Sequence, residues 1–259
     1  MKLRFEWGTV PALTAEQMRE ADRIMIEELG VQLLQMMENA GRSLADLALR
    51  RFGPSSAVVL AGPGGNGGGG LAAARHLSNR GVQVAVVLVR QAMSAAARSQ
   101  LEIVRAMGLS ITEEPGPADL VVDGLIGYSL RGDPGGRAAA LIEWANREEG
   151  PVLALDIPSG LDATTGRVGS PCIRATATLT LALPKVGLAS ASEVGELYLA
   201  DISVPPLVFE RLGMRVPDLF SQEQVVEIVR FPSRDVTIGS PTLENVPPEV
   251  VVGWERRSQ

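Results

Sequence analysis

The densest chemical signal in the sequence is a glycine-rich stretch at residues 62–70, in which seven of nine residues are glycine. Glycine tolerates positive φ and lets the backbone approach a ligand closely, so amide hydrogens and the N-terminus of a following helix can face an anion. A merely flexible loop would not require so many glycines, and we therefore predict a phosphate cradle.

The same stretch excludes two common nucleotide-binding motifs. No Lys-Ser/Thr pair follows it, so it is not a P-loop. Gly62, Gly64 and Gly67 match the pattern G-x-G-x-x-G, but that pattern alone is weak. The next predicted strand ends in Arg90 and not in the acid that would bind a ribose, which disfavours an ordinary NAD dehydrogenase.

A second stretch, residues 123–132, begins with a carboxylate at the end of a predicted strand and then brings together two glycines, an aromatic ring and a hydroxyl. Asp123 could bind a ligand or simply cap the next turn. Arg131 could bind a phosphate or be an ordinary surface charge. The residue types indicate a binding loop and leave its ligand open.

A third stretch, residues 156–162, again begins with an acid at the end of a predicted buried strand. Because a proline and a glycine favour a tight turn there, we expect Asp156 and Ser159 to face the same crevice as Asp123. Ser159 is a poor candidate nucleophile, because the single histidine, His76, falls in the middle of a predicted helix. A serine hydrolase is thereby disfavoured.

Alternating strand and helix patterns explain how the three stretches could converge. Continuous apolar runs bounded by glycine are typical of strands buried on both faces. The predicted strands are 57–61, 82–89, 120–122, 152–155, 177–181 and 197–199, and the helices between them are 71–79, 94–107 and 135–146. This order predicts an α/β fold, a Rossmann-like three-layer αβα sandwich with a mostly parallel sheet, in which ligands bind beyond the carboxyl ends of the strands.

Two further helices are predicted before the sheet. The first has capping-box spacing at Thr14, and the second closes at Gly53. The predicted organisation is one domain at residues 1–231, made of a helical segment, 14–52, packed on an α/β core, 57–212, and followed by a tail, 232–259. The tail is either a docking arm or a surface extension without function.

Composition narrows the classes of function. A net charge of -6 and a pI near 5.0 argue against nucleic acid as a partner. The single cysteine, Cys172, excludes an internal disulfide, and a single histidine leaves the chain without the ligands of a structural zinc site. The N-terminus lacks a signal-peptide pattern, and no run approaches the roughly 20 apolar residues of a membrane span. We predict a cytoplasmic protein with no membrane association.

Six segments in order make the sequence similar to the YjeF N-terminal family, which includes NAD(P)HX epimerases and the domain of apolipoprotein A-I binding protein. They are 13–18, 37–42, 62–77, 156–162, 183–188 and 200–206. The resemblance implies a Rossmann-like fold, a homodimer, and a metabolite-repair activity that interconverts the R and S hydrates of NADH and NADPH, called NADHX and NADPHX. It also implies a functional partnership with an NAD(P)HX dehydratase, here a separate protein.

The resemblance assigns roles to individual residues. It implies a potassium ion held by Asn66, Asp123 and Ser159, whose hard oxygen donors suit such a cation. Our candidate acid or base for epimerisation is Asp156, with Lys185 as a second candidate and a purely structural Asp156 as the alternative. The family's substrate contacts map to Gly65, Asn66, Gly67, Gly68, Gly69, Gly127, Tyr128, Ser129, Leu130, Arg131, Gly132, Asp133 and Asp156.

Two departures from the family pattern bear on activity. The usual loop, G-P-G-N-N-G-G-D-G, has Asn and Asp where this sequence has Gly65 and Gly69, so two polar ligand contacts are missing. The sequence therefore leaves two hypotheses. Either the chain is an epimerase, slowed by this loss, or it is a non-catalytic nucleotide-binding and dimerisation module of the same family.

Overall fold

A computed structural model describes residues 3–230 as one nine-stranded sheet with helices on both faces. Residues 1–2 and 231–259, which include the predicted tail, lie outside the described residues. The strands are β1 Arg4–Glu6, β2 Ser56–Ala61, β3 Gln83–Leu88, β4 Ser110–Thr112, β5 Leu120–Gly124, β6 Val152–Leu155, β7 Ala177–Leu181, β8 Glu196–Ala200 and β9 Val225–Val229. The α-helices are α1 Ala15–Arg23, α2 Leu33–Arg51, α3 Gly65–Ser78, α4 Ala95–Ala106, α5 Gly136–Ala145 and α6 Pro206–Arg211.

The strand order is β1-β9-β8-β7-β6-β5-β2-β3-β4, and β8 with β9 is the antiparallel pair in an otherwise parallel set of neighbours. The chain moves outward from β2 to β4 and then returns to the other side of β2 with β5. The carboxyl ends of β2 and β5 therefore border the point where the strand order reverses, which is where ligands bind in open α/β sheets. The predicted fold class is confirmed.

Alternate residues of the central strands feed two separate cores, as expected for a sheet covered on both sides. On β2, Val59 packs in the larger core with α2 and α3, whereas Val58 packs in the smaller core with Leu141 and Ile142 of α5. The three stretches with chemical potential leave the carboxyl edge of this rigid frame.

The glycine-rich stretch differs from its prediction, because α3 begins at Gly65 and not near residue 71. Glycine is a poor helix former, but close packing demands it here. A Cβ added at Gly67 would approach the Gly62 carbonyl oxygen to 1.8 Å, one at Gly68 would reach the Met37 methyl at 2.6 Å, and one at Gly69 would reach Leu155 at 2.7 Å. Tertiary contacts thus require several of the glycines that the sequence analysis ascribed to ligand binding alone.

Four elements were absent from the sequence prediction: β1, β4, α6 and β9. The pairing of β1 with β9 joins Arg4 to Glu227 and closes one edge of the sheet. A short strand such as β1, whose partner β9 lies more than 200 residues away, produces little local pattern in the sequence. Within residues 3–230, no helix has the length and apolar character needed to cross a membrane.

The N-terminal helical segment is fastened to the sheet edge by backbone hydrogen bonds. The Leu13 amide donates to the Pro184 carbonyl oxygen at 2.8 Å, and the Val186 amide donates to the Leu13 carbonyl oxygen at 3.0 Å. Thr14 then caps α1 through the predicted box with Gln17. This short ladder holds the start of α1 beside Lys185.

Candidate functional site

A cavity of about 450 Å³ lies at the carboxyl edge of the sheet. One wall, the helical wall, consists of side chains of α1, α2 and the turn that follows α1: Met18, Asp22, Ile26, Leu33, Met36, Met37 and Ala40. The facing residues come from strand ends and from the predicted binding stretches, and include Gly65, Asn66, Gly69, Gly127, Tyr128, Ser129, Asp156 and Lys185. The topology thus brings all three stretches to one cavity.

Asp156 and Lys185 form a buried ion pair in this cavity. Lys185 Nζ donates to Asp156 Oδ1 at 2.5 Å and to the Leu181 carbonyl oxygen at 2.8 Å. The Lys185 side chain is 0% exposed and the Asp156 side chain 5%. Among residues 3–230, the hydrogen bonds to the Asp156 carboxylate fall on Oδ1, so Oδ2 is available to a ligand. Such a pair can hold and pass a proton in a nearly dry site.

The backbone of Asp156 is held in the left-handed region, with φ of 67°. This conformation costs energy for any residue other than glycine, although Asp and Asn tolerate it best. The Asp156 amide donates to the Leu179 carbonyl oxygen at 2.7 Å, which fixes the turn against β7. The strained turn aims the carboxylate into the cavity.

Asp123 and Ser159 lie below the cavity, both 0% exposed. Ser159 donates to the Asp123 carboxylate through Oγ at 2.6 Å and through its amide at 2.8 Å, and the Leu125 amide donates at 3.1 Å. Burial raises the pKa of Asp123 to about 6, although these hydrogen bonds oppose the rise. Among residues 3–230, the groups that shift the pKa of Asp123 are neutral hydrogen-bond donors and include no basic side chain.

Asn66 lies in the first turn of α3 against the loop that follows Asp123. A Cβ at Gly127 would be 3.3 Å from Asn66 Oδ1, and one at Gly124 would be 3.3 Å from the Asn66 carbonyl oxygen. The Asn66 Nδ2 atom is buried without a hydrogen-bond partner in the described part of the chain. Asn66 is therefore a half-buried polar residue adjacent to the Asp123 loop, and its part in a cation site stays a prediction.

This donor set fits a monovalent cation. Among residues 3–230, no three His, Cys, Asp or Glu side chains cluster in a way that could hold a metal ion. A site at Asp123 would instead combine one carboxylate with neutral amide and hydroxyl oxygens. One negative charge with neutral oxygen donors suits potassium better than zinc or calcium.

The structure does not bring every predicted substrate contact to the cavity. Gly67 and Gly68 are packed beneath it, and Leu130, Arg131, Gly132 and Asp133 are not part of its wall. Asp133 is exposed and pairs with Arg167 at 2.8 Å, which lowers the pKa of the Asp133 carboxyl. Arg131 is exposed. A contact from these four residues stays a prediction for a ligand that extends beyond the cavity.

Sequence reasoning missed the contribution of α1. Tyr128 Oη donates to Asp22 Oδ2 at 2.5 Å, across 106 residues of sequence. Burial raises the pKa of Asp22, and burial followed by the charge of Asp22 raises the pKa of the Tyr128 hydroxyl. The available signal was spacing, because Met18, Asp22 and Ile26 recur every four residues and so place an acid between two apolar side chains on one helix face.

His76 has a structural role, consistent with its predicted position. It lies in α3 with its side chain 13% exposed, and its Nε2 lies 2.7 Å from Glu38 Oε1 of α2. This contact joins two helices away from the cavity. The prediction that His76 does not activate Ser159 agrees with this geometry.

The fold and the cavity together define the class: a Rossmann-like α/β protein with a cavity at the switch point of a parallel sheet. Within that class, residues 33–187 match the family described as YjeF-related protein N-terminus. This match covers more than half of the chain, which therefore belongs to that family.

Similar proteins extend the match beyond residues 33–187. The NAD(P)H-hydrate epimerase of Dehalogenimonas lykanthroporepellens is 44% identical over 227 residues, covering 83% of this chain and 92% of that protein. The bifunctional NAD(P)H-hydrate repair enzyme Nnr of Hyperthermus butylicus is 42% identical over 70% of this chain, which spans only 36% of that protein. The crystal structure of the yeast protein ynu0 (YNL200c) is similar with a TM-score of 0.75 at 21% identity, covering 84% of this chain and 100% of that one. This last likeness supports the fold.

Proposed function

We propose that this chain is an NAD(P)H-hydrate epimerase. The observation that carries the proposal is the buried Asp156–Lys185 pair, which opens into a cavity beside the N-terminus of α3. The relatives that bear the epimerase name, at 32% to 44% identity, support the same reaction. The geometry of the cavity and the names of the similar proteins thus both support a proton-transfer site that binds a nucleotide.

The chemistry asks for a positioned acid and base. The hydrate carries its hydroxyl on a ring carbon bonded to nitrogen, a hemiaminal, and inversion requires a proton to leave and return around ring opening or hydroxyl exchange. Asp156 Oδ2 faces the substrate and exchanges this proton. Lys185 holds the other oxygen and sets the charge of the pair. No redox step or covalent intermediate is needed.

Substrate binding divides between polar and apolar parts of the cavity. The backbone amides at the start of α3 donate hydrogen bonds to the pyrophosphate, because this helix N-terminus has no side-chain cap. Apolar side chains such as Leu125, Ile126 and Ile202 contact the hydrated nicotinamide ring. Gly65 has open space at its Cβ position, so it leaves room where relatives of the usual pattern carry Asn.

We further propose that Asn66, Asp123 and Ser159 hold a potassium ion. Asn66, Asp123 and Ser159 would hold the ion beside the loop after β5, where it would supply a positive charge to balance Asp123. Asp123 is paired in register with Ala154, two residues before Asp156, so a fixed Asp123 steadies the catalytic turn. These residues position the site and do not exchange protons with the substrate.

Partners and location follow from the same proposal. The Nnr relatives, of which this chain spans 36% to 46%, carry a second activity on one polypeptide, and we propose that a dehydratase consumes the S hydrate formed here. A homodimer and a cytoplasmic location stay predictions.

The second candidate function is a non-catalytic nucleotide-binding module, favoured by Gly65 and Gly69. One assay separates the two: R-NADHX is incubated with this protein and an S-specific dehydratase, and conversion is compared with spontaneous epimerisation. We expect clear acceleration. Binding of nucleotide without acceleration would overturn the epimerase and leave the module.

A further inference from the structure

The cavity contains a second pair of proton-carrying groups, which joins its helical wall to the residues that face that wall. Asp22 comes from α1, whereas its hydrogen-bond partner Tyr128 comes from the loop after β5. Both side chains contact the same cavity as Asp156 and Lys185. A hydroxyl donor and a carboxylate acceptor at 2.5 Å have the composition of a proton-transfer pair.

The two pairs form one electrostatic cluster. The charges of Lys185 and Asp156 both act on Asp22, and the charges of Asp156 and Arg19 act on Tyr128. Burial has the largest effect and raises the pKa of the Asp22 carboxyl. A carboxylate with a raised pKa in the same cavity as one that is paired with lysine resembles the division of labour between acid and base in other enzymes.

Local structure supports a functional role for this part of α1. Immediately after Arg23 the helix widens into a π-helical turn, Ile24–Glu28, and such turns concentrate at functional sites. The ladder between Leu13 and residues 184–186 also fixes the start of α1 next to Lys185. The two pairs therefore lie on one rigid frame, and Asp22 enters the cavity from the helical wall, whereas Asp156 and Lys185 belong to the residues that face it.

We propose that Asp22 and Tyr128 are a second catalytic pair, which handles the proton on one face of the hemiaminal carbon while Asp156 and Lys185 handle it on the other. This inference rests on the proposed epimerase function. It also chooses hydroxyl exchange over ring opening, because exchange is the route that needs a proton-transfer group on each face.

The exchange balances without a co-reactant. On one face, the hydroxyl accepts a proton, its C–O bond breaks, water leaves, and the ring nitrogen's lone pair forms a C=N bond. On the other face, a water oxygen bonds to the same carbon, the C=N electron pair returns to nitrogen, and the water gives one proton to the base. One proton is given and one taken, and the reverse reaction uses the same pairs in exchanged roles.

The test compares Tyr128→Phe and Asp22→Asn with the wild type, using purified R-NADHX and the S-specific dehydratase. Both substitutions nearly preserve shape, and we expect kcat to fall about 10²-fold with a much smaller change in KM. Tyr198→Phe is the matched control, because Tyr198 also donates to a carboxylate, Glu196 Oε2 at 2.8 Å, and lies on β8 outside the cavity. We expect its kcat to equal that of the wild type.

A second measurement follows the oxygen atom. Short incubations in ¹⁸O-enriched water should yield inverted hydrate that carries one solvent oxygen for each wild-type turnover. Retention of the original oxygen would overturn the two-face route. Wild-type kcat in both Tyr128→Phe and Asp22→Asn would overturn the second pair while leaving the epimerase intact, whereas a wild type that fails to accelerate epimerisation would overturn the proposed function itself.

Discussion

Asp123 and Asp156 come from neighbouring parallel strands, yet their surroundings differ. Asp156 has a buried lysine as its partner and opens into the cavity, whereas Asp123 is fully buried among neutral donors. The first carboxylate has its counter-charge built into the chain, which under the proposed function leaves it free for proton chemistry. The second has neutral hydrogen-bond donors as its partners among the described residues, and in our proposal a bound cation supplies its counter-charge. Equivalent positions at a sheet edge therefore take different roles according to what charge lies beside them.

The largest effect should come from breaking the charged pair with Asp156→Asn. Asparagine keeps the left-handed backbone at little cost, so the substitution tests charge and not strain. We expect epimerisation to fall about 10²- to 10⁴-fold, because the acid or base is lost. Unfolding free energy should fall by about 3 to 5 kcal/mol, because Lys185 is left buried and unpaired.

A double variant distinguishes these two losses. Adding Lys185→Met to Asp156→Asn should restore most of the stability in denaturant titrations and none of the activity. Recovery of activity in the double variant would show that the pair is structural.

The Asp123→Asn substitution tests the second carboxylate of the comparison. In the wild type, KCl should raise the Tm above that in an equal concentration of tetramethylammonium chloride, by about 5 to 10 °C at about 100 times the Kd. Asp123→Asn should abolish this difference, since the neutral side chain no longer needs a cation. An equal potassium effect in both proteins would contradict the assignment of the ion to this site.

A smaller effect is expected when the two missing polar groups of the glycine stretch are restored. Gly65→Asn meets open space, whereas a Cβ at position 69 would lie 2.7 Å from Leu155 Cδ2. We expect Gly65→Asn to tighten nucleotide binding about 2- to 10-fold without loss of Tm, in line with a new hydrogen bond.

Restoring the carboxylate requires space as well as charge. Gly69→Asp should raise the epimerisation rate fully only when Leu155→Val accompanies it, and Gly69→Ala measures the steric cost alone. A full rate increase from Gly69→Asp by itself would show that Leu155 yields easily.

The smallest expected effect on stability concerns Asp22. Like Asp123 it is hydrogen-bonded to a neutral hydroxyl, and like Asp156 it lines the cavity. Its raised pKa means that ionised Asp22 opposes folding: the stability it provides is complete below its ordinary pKa of 3.8 and is lost as pH rises through the folded value. Asp22→Asn should therefore raise the Tm slightly at pH 7.5 and leave it unchanged near pH 3. A lower Tm at pH 7.5 would show that the charge stabilises the fold.

Sequence alone predicted the parts of the molecule that depend on local pattern. Buried strands such as β2 and β6 can be predicted from their apolar runs. The position of Asp156 follows, because it comes directly after β6. The start of α3 was wrong because helix propensity disfavours Gly65 to Gly70, while contacts with Met37 and Leu155 outweigh propensity. The Asp22–Tyr128 contact could not be predicted from the sequence, because no local pattern links residues 106 positions apart.

The ladder between Leu13 and residues 184–186 decides how far the amino terminus can be trimmed or fused. Deletion through Thr14 would remove both ladder bonds and the cap of α1, so the lysine would lose its backbone neighbour and the helical wall its anchor. A peptide attached upstream of β1 leaves this ladder intact. Residues 3–14 thus help to hold the walls of the cavity in place, although none of them is a candidate to contact the substrate.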